Sequence, residues 1–472
     1  MVRSSLRIIV ASVIGGLTAC TPLLDKPAAE TVPQASELAP GWSSDELANS
    51  DLVWNEFVDS PALTEIINEA QLNNLDLQVS IARRNAAFEQ ARIASGRRWP
   101  AVSAALDGNR QQRASTAFTT AGSAITETVS GNVSASWEVD LWGELALGQK
   151  AAINTALQQQ QLLRWSQFSL SAQIARTWLD SIESQQQWRL AQQREKNLRD
   201  NLDIIENGFG AGIRDALDVY SARAEADASQ ANTVLRQQNY QSLVRQLEVL
   251  LGRYPGNTMT LPGSAPALRM DIPKQLPLTL LERRPDVVAG RHALIGQQAN
   301  LGVAKANRLP ALNLRGSYGA SNRSLRDVLD GDDIFWSAVA GITAPLFQGG
   351  QLAAEQRRQM ALLNANAAEY KSTLLTAISE VEQSIDNEIL FKERLAAARR
   401  ADQISQQAEQ QAFESYVAGL SNLNTWLQAQ RTAFDRQSQL LQLETELLKN
   451  RIGFYLALGG DFGVSASTEQ TP

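Results

Sequence analysis

The chain has a single cysteine, Cys20, and a single histidine, His292. One cysteine excludes an intramolecular disulfide, and the two residues together supply no His/Cys ligand set for zinc. No Ser-His or Cys-His couple with a conventional base elsewhere can be assembled. The glycine spacings of phosphate and dinucleotide loops are also missing. Carboxylates are plentiful but nothing marks a catalytic centre, so the expectation is a non-enzyme with no metal and no diffusible cofactor. His292 lies in a helical pattern and reads as a surface or packing residue. Basic charge is short as well: 43 Lys+Arg face 50 Asp+Glu, a net charge of −7, which argues against nucleic acid as a partner. With 20% charged and 44% hydrophobic residues, composition alone is that of a soluble protein of two or three domains.

The first twenty residues depart from that composition. Arg3 and Arg7 flank an uncharged run from Ile8 to Leu17. At about ten residues it is too short to span a bilayer and reads as the core of an export signal. It ends in Leu17-Thr18-Ala19-Cys20, which resembles a bacterial lipobox, whose cysteine becomes the acylated first residue. Residues 1–19 are therefore expected to be a signal peptide, and 20–54 a lipid-anchored tether. Each buried lipid methylene contributes about 0.8 kcal/mol, so several chains on Cys20 would hold firmly. Thr21, where aspartate would signal retention, implies the outer membrane. Removing residues 1–19 takes two arginines and leaves 41 basic against 50 acidic residues.

The remainder is written twice. Asp76 and Trp99-Pro100-Ala101-Val102 match Asp286 and Leu309-Pro310-Ala311-Leu312 at an offset of 210. Asp140-Leu141-Trp142 matches Pro345-Leu346-Phe347 at 205, while Phe209, Gly212, Ala222, Leu251 and Gly252 match Tyr416, Gly419, Ala429, Leu458 and Gly459 at 207. Repeat one is read as 55–252 and repeat two as 278–460. Between them, 253–277 carries Pro255, Pro262, Pro266, Pro273 and Pro277, a connector in which no long helix can form. Residues 461–472 read as a flexible tail.

Each repeat has the order helix, two strands, two long helices. A helical stretch from about 55 stops at Trp99-Pro100, because proline forces its predecessor out of the α region. Residues 129–141 then alternate, with Val129, Gly131, Val133, Ala135, Trp137, Val139 and Leu141 on one side and polar residues on the other. Weaker alternation follows Val102, Ala104 and Leu106; Leu312, Leu314 and Tyr318; and Trp336, Ala338, Ala340, Ile342 and Leu346. Such lengths match tilted membrane strands, and Trp99, Trp137, Trp142 and Trp336 fall where interfacial girdles would.

From Gly143 to about Asn207, and from Gln351 to about Val417, proline is absent and Ala, Gln, Leu and Arg abound. About 65 residues of helix make a rod of roughly 100 Å. In the returning helix, Leu427, Phe434, Leu441 and Leu448 recur every seven residues beside Trp426, Ala433, Leu440 and Leu447. Gln430, Gln437 and Glu444 interrupt a simple two-stranded seam, so the helix reads as wedged between two neighbours. Four strands cannot close a barrel, and open edges are forbidden in lipid. If these strands span a membrane, the protein must oligomerise.

Leu281-Glu282-Arg283-Arg284-Pro285-Asp286-Val287, the run from Trp137 ending Asp140-Leu141-Trp142-Gly143, and Tyr416-x-x-Gly419 followed by Ala429-Gln430-Arg431 resemble the TolC-type outer membrane efflux proteins. The likeness is to the lipoprotein branch serving resistance-nodulation-division pumps. It implies a mixed fold of membrane β-barrel plus α-helical barrel: a homotrimer with a 12-stranded barrel continued by a periplasmic helical tube. It also implies partners, namely a periplasmic adaptor, an inner-membrane resistance-nodulation-division pump and outer membrane lipid. Ala418, Gly419, Leu420 and Ser421 resemble the adaptor-docking tip, with Ala211, Gly212 and Ile213 as partners in repeat one. Arg214 departs from the small hydroxyl residue usual there. Tyr416 and Arg431 match residues that help hold the family's entrance shut. Asn424 and Gln428 stand where relatives often have an apolar constriction and an aspartate. Asp218, with Asp215 near it, could supply negative charge instead, or both could simply favour a helix start. A protein-secretion duct of the same fold and a poreless periplasmic rod are the alternatives.

Overall fold

The computed structural model describes residues 60–113, 124–266, 283–330 and 333–460. Cys20, the signal peptide, the tether, the second half of the connector, Leu281, Glu282 and the tail lie outside the described residues. In order, the elements are α1 (Pro61–Asn73), α2 (Leu75–Gly96), β1 (Ala101–Arg113), β2 (Ala124–Val139), α3 (Glu144–Gly210) and α4 (Ala216–Leu250). Then follow α5 (Pro285–Ala306), β3 (Ala311–Asn322), the short α6 (Leu325–Asp330), β4 (Ile334–Thr343), α7 (Gln351–Val417) and α8 (Leu423–Ala457). Helices α3 and α7 are both 67 residues long, and α4 and α8 both 35. In the long helices the duplication is thus kept to the residue, and it extends to the backbone of the turns. Gly143, Gly212 and Gly252 have φ of 75°, 71° and 71°, and their mates Gly350, Gly419 and Gly459 have 81°, 72° and 72°.

The chain divides into two compact units. In the first, which includes residues 84–160 and 289–371, the four strands form one antiparallel sheet in the order β1-β2-β3-β4. The register aligns Ala104, Val133, Tyr318 and Trp336 in one row, and Val102, Ala135, Gly316 and Ala338 in another, on the same face. Next to them on the opposite face Ser103, Ser134, Ser317 and Ser337 line up across all four strands. Their hydroxyls pair at 2.9 Å (Ser103 and Ser134) and 2.7 Å (Ser317 and Ser337). The alternation expected from sequence therefore sorts one apolar from one hydroxyl-bearing face, although Phe335 and Val339 of β4 share the polar parity.

Two expected strand ends are corrected. β2 stops at Val139 because Asp140 is used as a cap, its carboxylate accepting from the backbone of Leu145 (3.1 Å) and Ala146 (2.8 Å) at the start of α3. β4 stops at Thr343, so Leu346 is not a strand residue; Pro345 cannot continue a ladder. Trp137 Nε1 donates to Arg98 O, and Trp142 Nε1 to Pro310 O. Among the flanking helical residues Leu294, Leu301 and Leu363 form an apolar cluster. His292 Nδ1 meets Asn154 Oδ1 at 3.1 Å, and burial lowers its pKa.

The described regular elements of the second unit are helices and include α1, α4, α8 and the greater part of α3 and α7. The single helix expected from about residue 55 is two, because Asn74 turns out of the helix and caps α2 by accepting from Leu77 N. In α8 the buried stripe includes Leu423, Trp426, Leu427, Phe434, Ser438, Leu443 and Leu447. Leu440 and Leu441, expected in the seam, are half-buried, because the stripe of a straight helix drifts across a strict seven-residue repeat. After α4 the described half of the connector is irregular. Burial pushes the Glu248 carboxyl up, but backbone N–H groups of Asn257, Thr258 and Met259 hold it below its usual range.

Candidate functional site

The α3–α4 and α7–α8 turns are built identically. Gly212 N donates to Phe209 O (2.9 Å) and Ile213 N to Gly208 O (2.9 Å); Gly419 N donates to Tyr416 O (3.0 Å) and Leu420 N to Ser415 O (2.8 Å). This crossed pair terminates a helix and requires a left-handed residue, which glycine supplies without a Cβ penalty. The next helix starts at once, with Asp215 and Asn422 as caps accepting from Asp218 N and Thr425 N at 2.9 Å each. Ile213 is 74% and Leu420 84% exposed, and Ala211, Ala418 and both glycines are exposed beside them. The Ser421 hydroxyl is buried and has no hydrogen-bond partner among the described residues.

Behind the turns lies a buried cluster that includes Ile205, Val219, Tyr416, Leu423 and Trp426. Tyr416 is 4% exposed and stacks on Trp426 with centroids 5.4 Å apart. The Arg214 guanidinium lies 4.1 Å from the centroid of the Tyr416 ring, tying one turn to the helix of the other. Gly208 makes this possible: a Cβ there would stand 2.9 Å from Arg214 Cγ. The Tyr416 hydroxyl has no hydrogen-bond partner among the described residues, and burial raises its pKa.

Two turns further on, Arg431 meets Glu225 of α4 with both Nε and Nη2, the shorter contact being 2.5 Å. Glu225 also accepts from Arg194 of α3 at 2.7 Å, and Arg194 lies 4.5 Å from the Phe434 ring centroid. The Arg431 bond, ahead of the opposing effect of burial, holds the Glu225 carboxyl below its ordinary value. Asn424 and Gln428 are exposed and make no part of this network. Asp218 sits in the first turn of α4, where burial and then Asp215 raise its pKa. Asp215 is the helix cap itself.

Of the residues singled out from sequence, the fold brings Tyr416 to Arg214 and places Arg431 on Glu225. Sequence reasoning did not reach Glu225 or Arg194. The repeat alignment of Ala222 with Ala429 held a signal, since it sets Glu225 one residue past the mate of Arg431. Arg194 had none, because it lies on a different helix.

A family model described as outer membrane efflux protein matches residues 66–253 and 276–460. The chain is 29% identical over 469 residues to the probable efflux pump outer membrane protein TtgC of Pseudomonas putida, covering 98% of this chain and 96% of the relative. It is 26% identical over 453 residues to outer membrane protein OprJ of Pseudomonas aeruginosa, covering 94% and 93%. Among solved structures, the outer-membrane channel OprN superposes with a TM-score of 0.82 at 25% identity, over 92% of this chain and 98% of that one.

Proposed function

This chain belongs to the outer membrane efflux protein family, and from that premise we propose that three copies form the exit channel of a tripartite pump for small molecules. One observation carries the proposal: the sheet has an apolar face running through all four strands, a hydroxyl row on the other, and two edges, β1 and β4, unpaired among the described residues. Open edges cannot stay in hydrocarbon, where each unpaired backbone group costs several kcal/mol. Joining β4 of one copy to β1 of the next removes them. Three copies give twelve strands, enough to surround a lumen where four are too few. The serine face then lines the lumen and the apolar face meets lipid. No helix among the described residues is long and apolar enough to cross a membrane.

The two glycine turns are the docking surface for a periplasmic adaptor. Exposed Ile213 and Leu420 at equivalent places give a partner two apolar contacts per copy. Tyr416 with Arg214, and Arg431 with Glu225, hold the helices of both hairpins together behind that surface, and their separation would open the entrance. Cys20 carries the lipid that adds an anchor. The relatives described above are efflux components, which favours efflux over protein secretion.

Native mass spectrometry in mild detergent tests the assembly: a trimer is expected, and a monomer would refute it. In cells, Leu420→Asp together with Ile213→Asp should abolish pump-dependent efflux while expression, trimer and outer membrane location persist. Normal efflux would exclude the turns as the docking surface. Mass spectrometry of the extracted N-terminus should find acylated Cys20 and no residues 1–19.

A further inference from the structure

The short helix α6 joins β3 to β4 and packs on β2 and β3. It does so on the apolar face. A Cβ built on Gly131 would lie 3.5 Å from Val328 Cγ1 and 3.6 Å from Leu106 Cδ1, and Leu106 is the cross-strand partner of Gly131. Val328 and Ala320, which pairs with Gly131 from the other side, are buried. Gly131 is therefore where a helix can approach the sheet.

Leu325, Val328 and Leu329 fall at i, i+3 and i+4, one stripe of the helix. Only the middle residue is covered: Leu329 is 76% exposed, and Leu325 is exposed too. The helix lies over β2 and β3 rather than over the free edges, so a neighbouring copy joined at those edges does not explain the stripe. Its level is informative. Toward the strand ends at Ala101 and Val139 the next rung of the face carries Val133, Tyr318 and Trp336, all exposed. In the opposite direction, two rungs beyond Leu106 and Gly131, the same face carries Arg110 and Glu127, ion-paired at 2.9 Å. The helix thus sits where the apolar band gives way to charge.

We propose that α6 is a lipid-contacting collar at the outer rim, in which Leu325 and Leu329 extend the sheet's apolar face into the acyl chains of the outer leaflet. The proposal rests on the reading that the apolar face meets lipid. An amphipathic element at that depth fits the general behaviour of interfacial helices, whose apolar side enters the headgroup–acyl boundary. It would fix the depth at which the strands sit.

The test uses full-length Cys20→Ser protein carrying one new cysteine, Leu329→Cys, Val133→Cys or Ser134→Cys, spin-labelled and reconstituted in phosphatidylcholine vesicles. Collision rates with oxygen, which concentrates in lipid, and with a water-soluble nickel chelate are compared. Leu329→Cys should match Val133→Cys, with an oxygen-to-nickel ratio several-fold above Ser134→Cys. A nickel-dominated label at 329 beside an oxygen-dominated one at 133 overturns the collar alone. A label at 329 shielded from both reagents overturns it too, since protein then covers the stripe. If 133 and 134 are alike or reversed, the underlying reading of the sheet fails and the collar with it.

Discussion

Asn74 and Arg284 stand at the same joint in the two halves of the chain: each donates to the last carbonyl of the second long helix of its own repeat. Asn74 Nδ2 reaches Leu250 O at 2.9 Å, and Arg284 Nη1 reaches Ala457 O at 3.3 Å. The duplicated joint has been kept with different chemistry. Asn74 is neutral and spends its oxygen on capping α2. Arg284, 2% exposed, also meets Asp286 at 2.8 Å and Glu380 at 2.6 Å, and lies 4.6 Å from the Trp165 ring centroid.

The asymmetry predicts unequal costs. Asn74→Ala loses a cap and leaves one carbonyl short, about 1–2 kcal/mol. Arg284→Ala strands a carboxylate that is mostly enclosed, and should cost about 3 kcal/mol or more. Thermal unfolding of the two variants should give melting temperatures in that order, with Arg284→Ala the lower.

Glu225 predicts a pH dependence. Its pKa is lowered from 4.5 when folded, so its contribution is complete above that value and fades as the pH falls through the lower, folded one. Glu225→Gln should therefore be less stable than the parent at pH 7, by about 2 kcal/mol given that Arg431 is half exposed, and should melt at a lower temperature. Repeating the scan at successively lower pH should narrow the gap.

The sheet faces predict a contrast between neighbours. Ala135→Arg near the midplane should cost about 2–4 kcal/mol of membrane stability, whereas Ser134→Arg should be tolerated. Folding into vesicles with urea titration measures both, and equal costs would contradict the assignment of faces.

The left-handed glycines predict a graded series. A Cβ at Gly419 meets nothing within 4 Å, so Gly419→Ala carries the conformational cost alone, about 1 kcal/mol. At Gly252 the same Cβ would also stand 2.5 Å from Asn73 O, so Gly252→Ala should melt clearly lower. Circular dichroism melts of the two variants give the ranking.

Much of this architecture was legible because it is periodic. The Val133-Ala135-Trp137 alternation, the proline-free runs and the 207-residue repeat each leave a signature on residues close in sequence. Helix α7 has the bounds those signals gave, Gln351 to Val417. The break at Asn74 was hidden, since asparagine is found inside helices as well as at caps, and the Nδ2 contact to Leu250 O that accompanies the cap joins residues far apart in the chain. The same holds for Glu225: its role depends on Arg194 and Arg431, which come from two other helices. Turn glycines could be found by repeat alignment, but the stacking of Arg214 on Tyr416 depends on the space at Gly208. The strand ends at Val139 and Thr343 went astray where a side-chain cap and a proline overrode an alternation that continued in the letters.

On the proposed reading that the serine face lines the lumen, the serine row has a consequence for what can pass. A hydroxyl donates or accepts with equal ease and carries no charge at any pH a cell meets. Ser103, Ser134, Ser317 and Ser337, aligned across the strands, therefore offer a permeant no sign by which to tell an anion from a cation. A molecule moving along such a face exchanges one hydrogen bond for another of the same kind, with no deep well to rest in. Preference for one sign of solute is then left to Asp107, Glu138 and Arg315, which share that face on other rungs, and the serine row itself is indifferent.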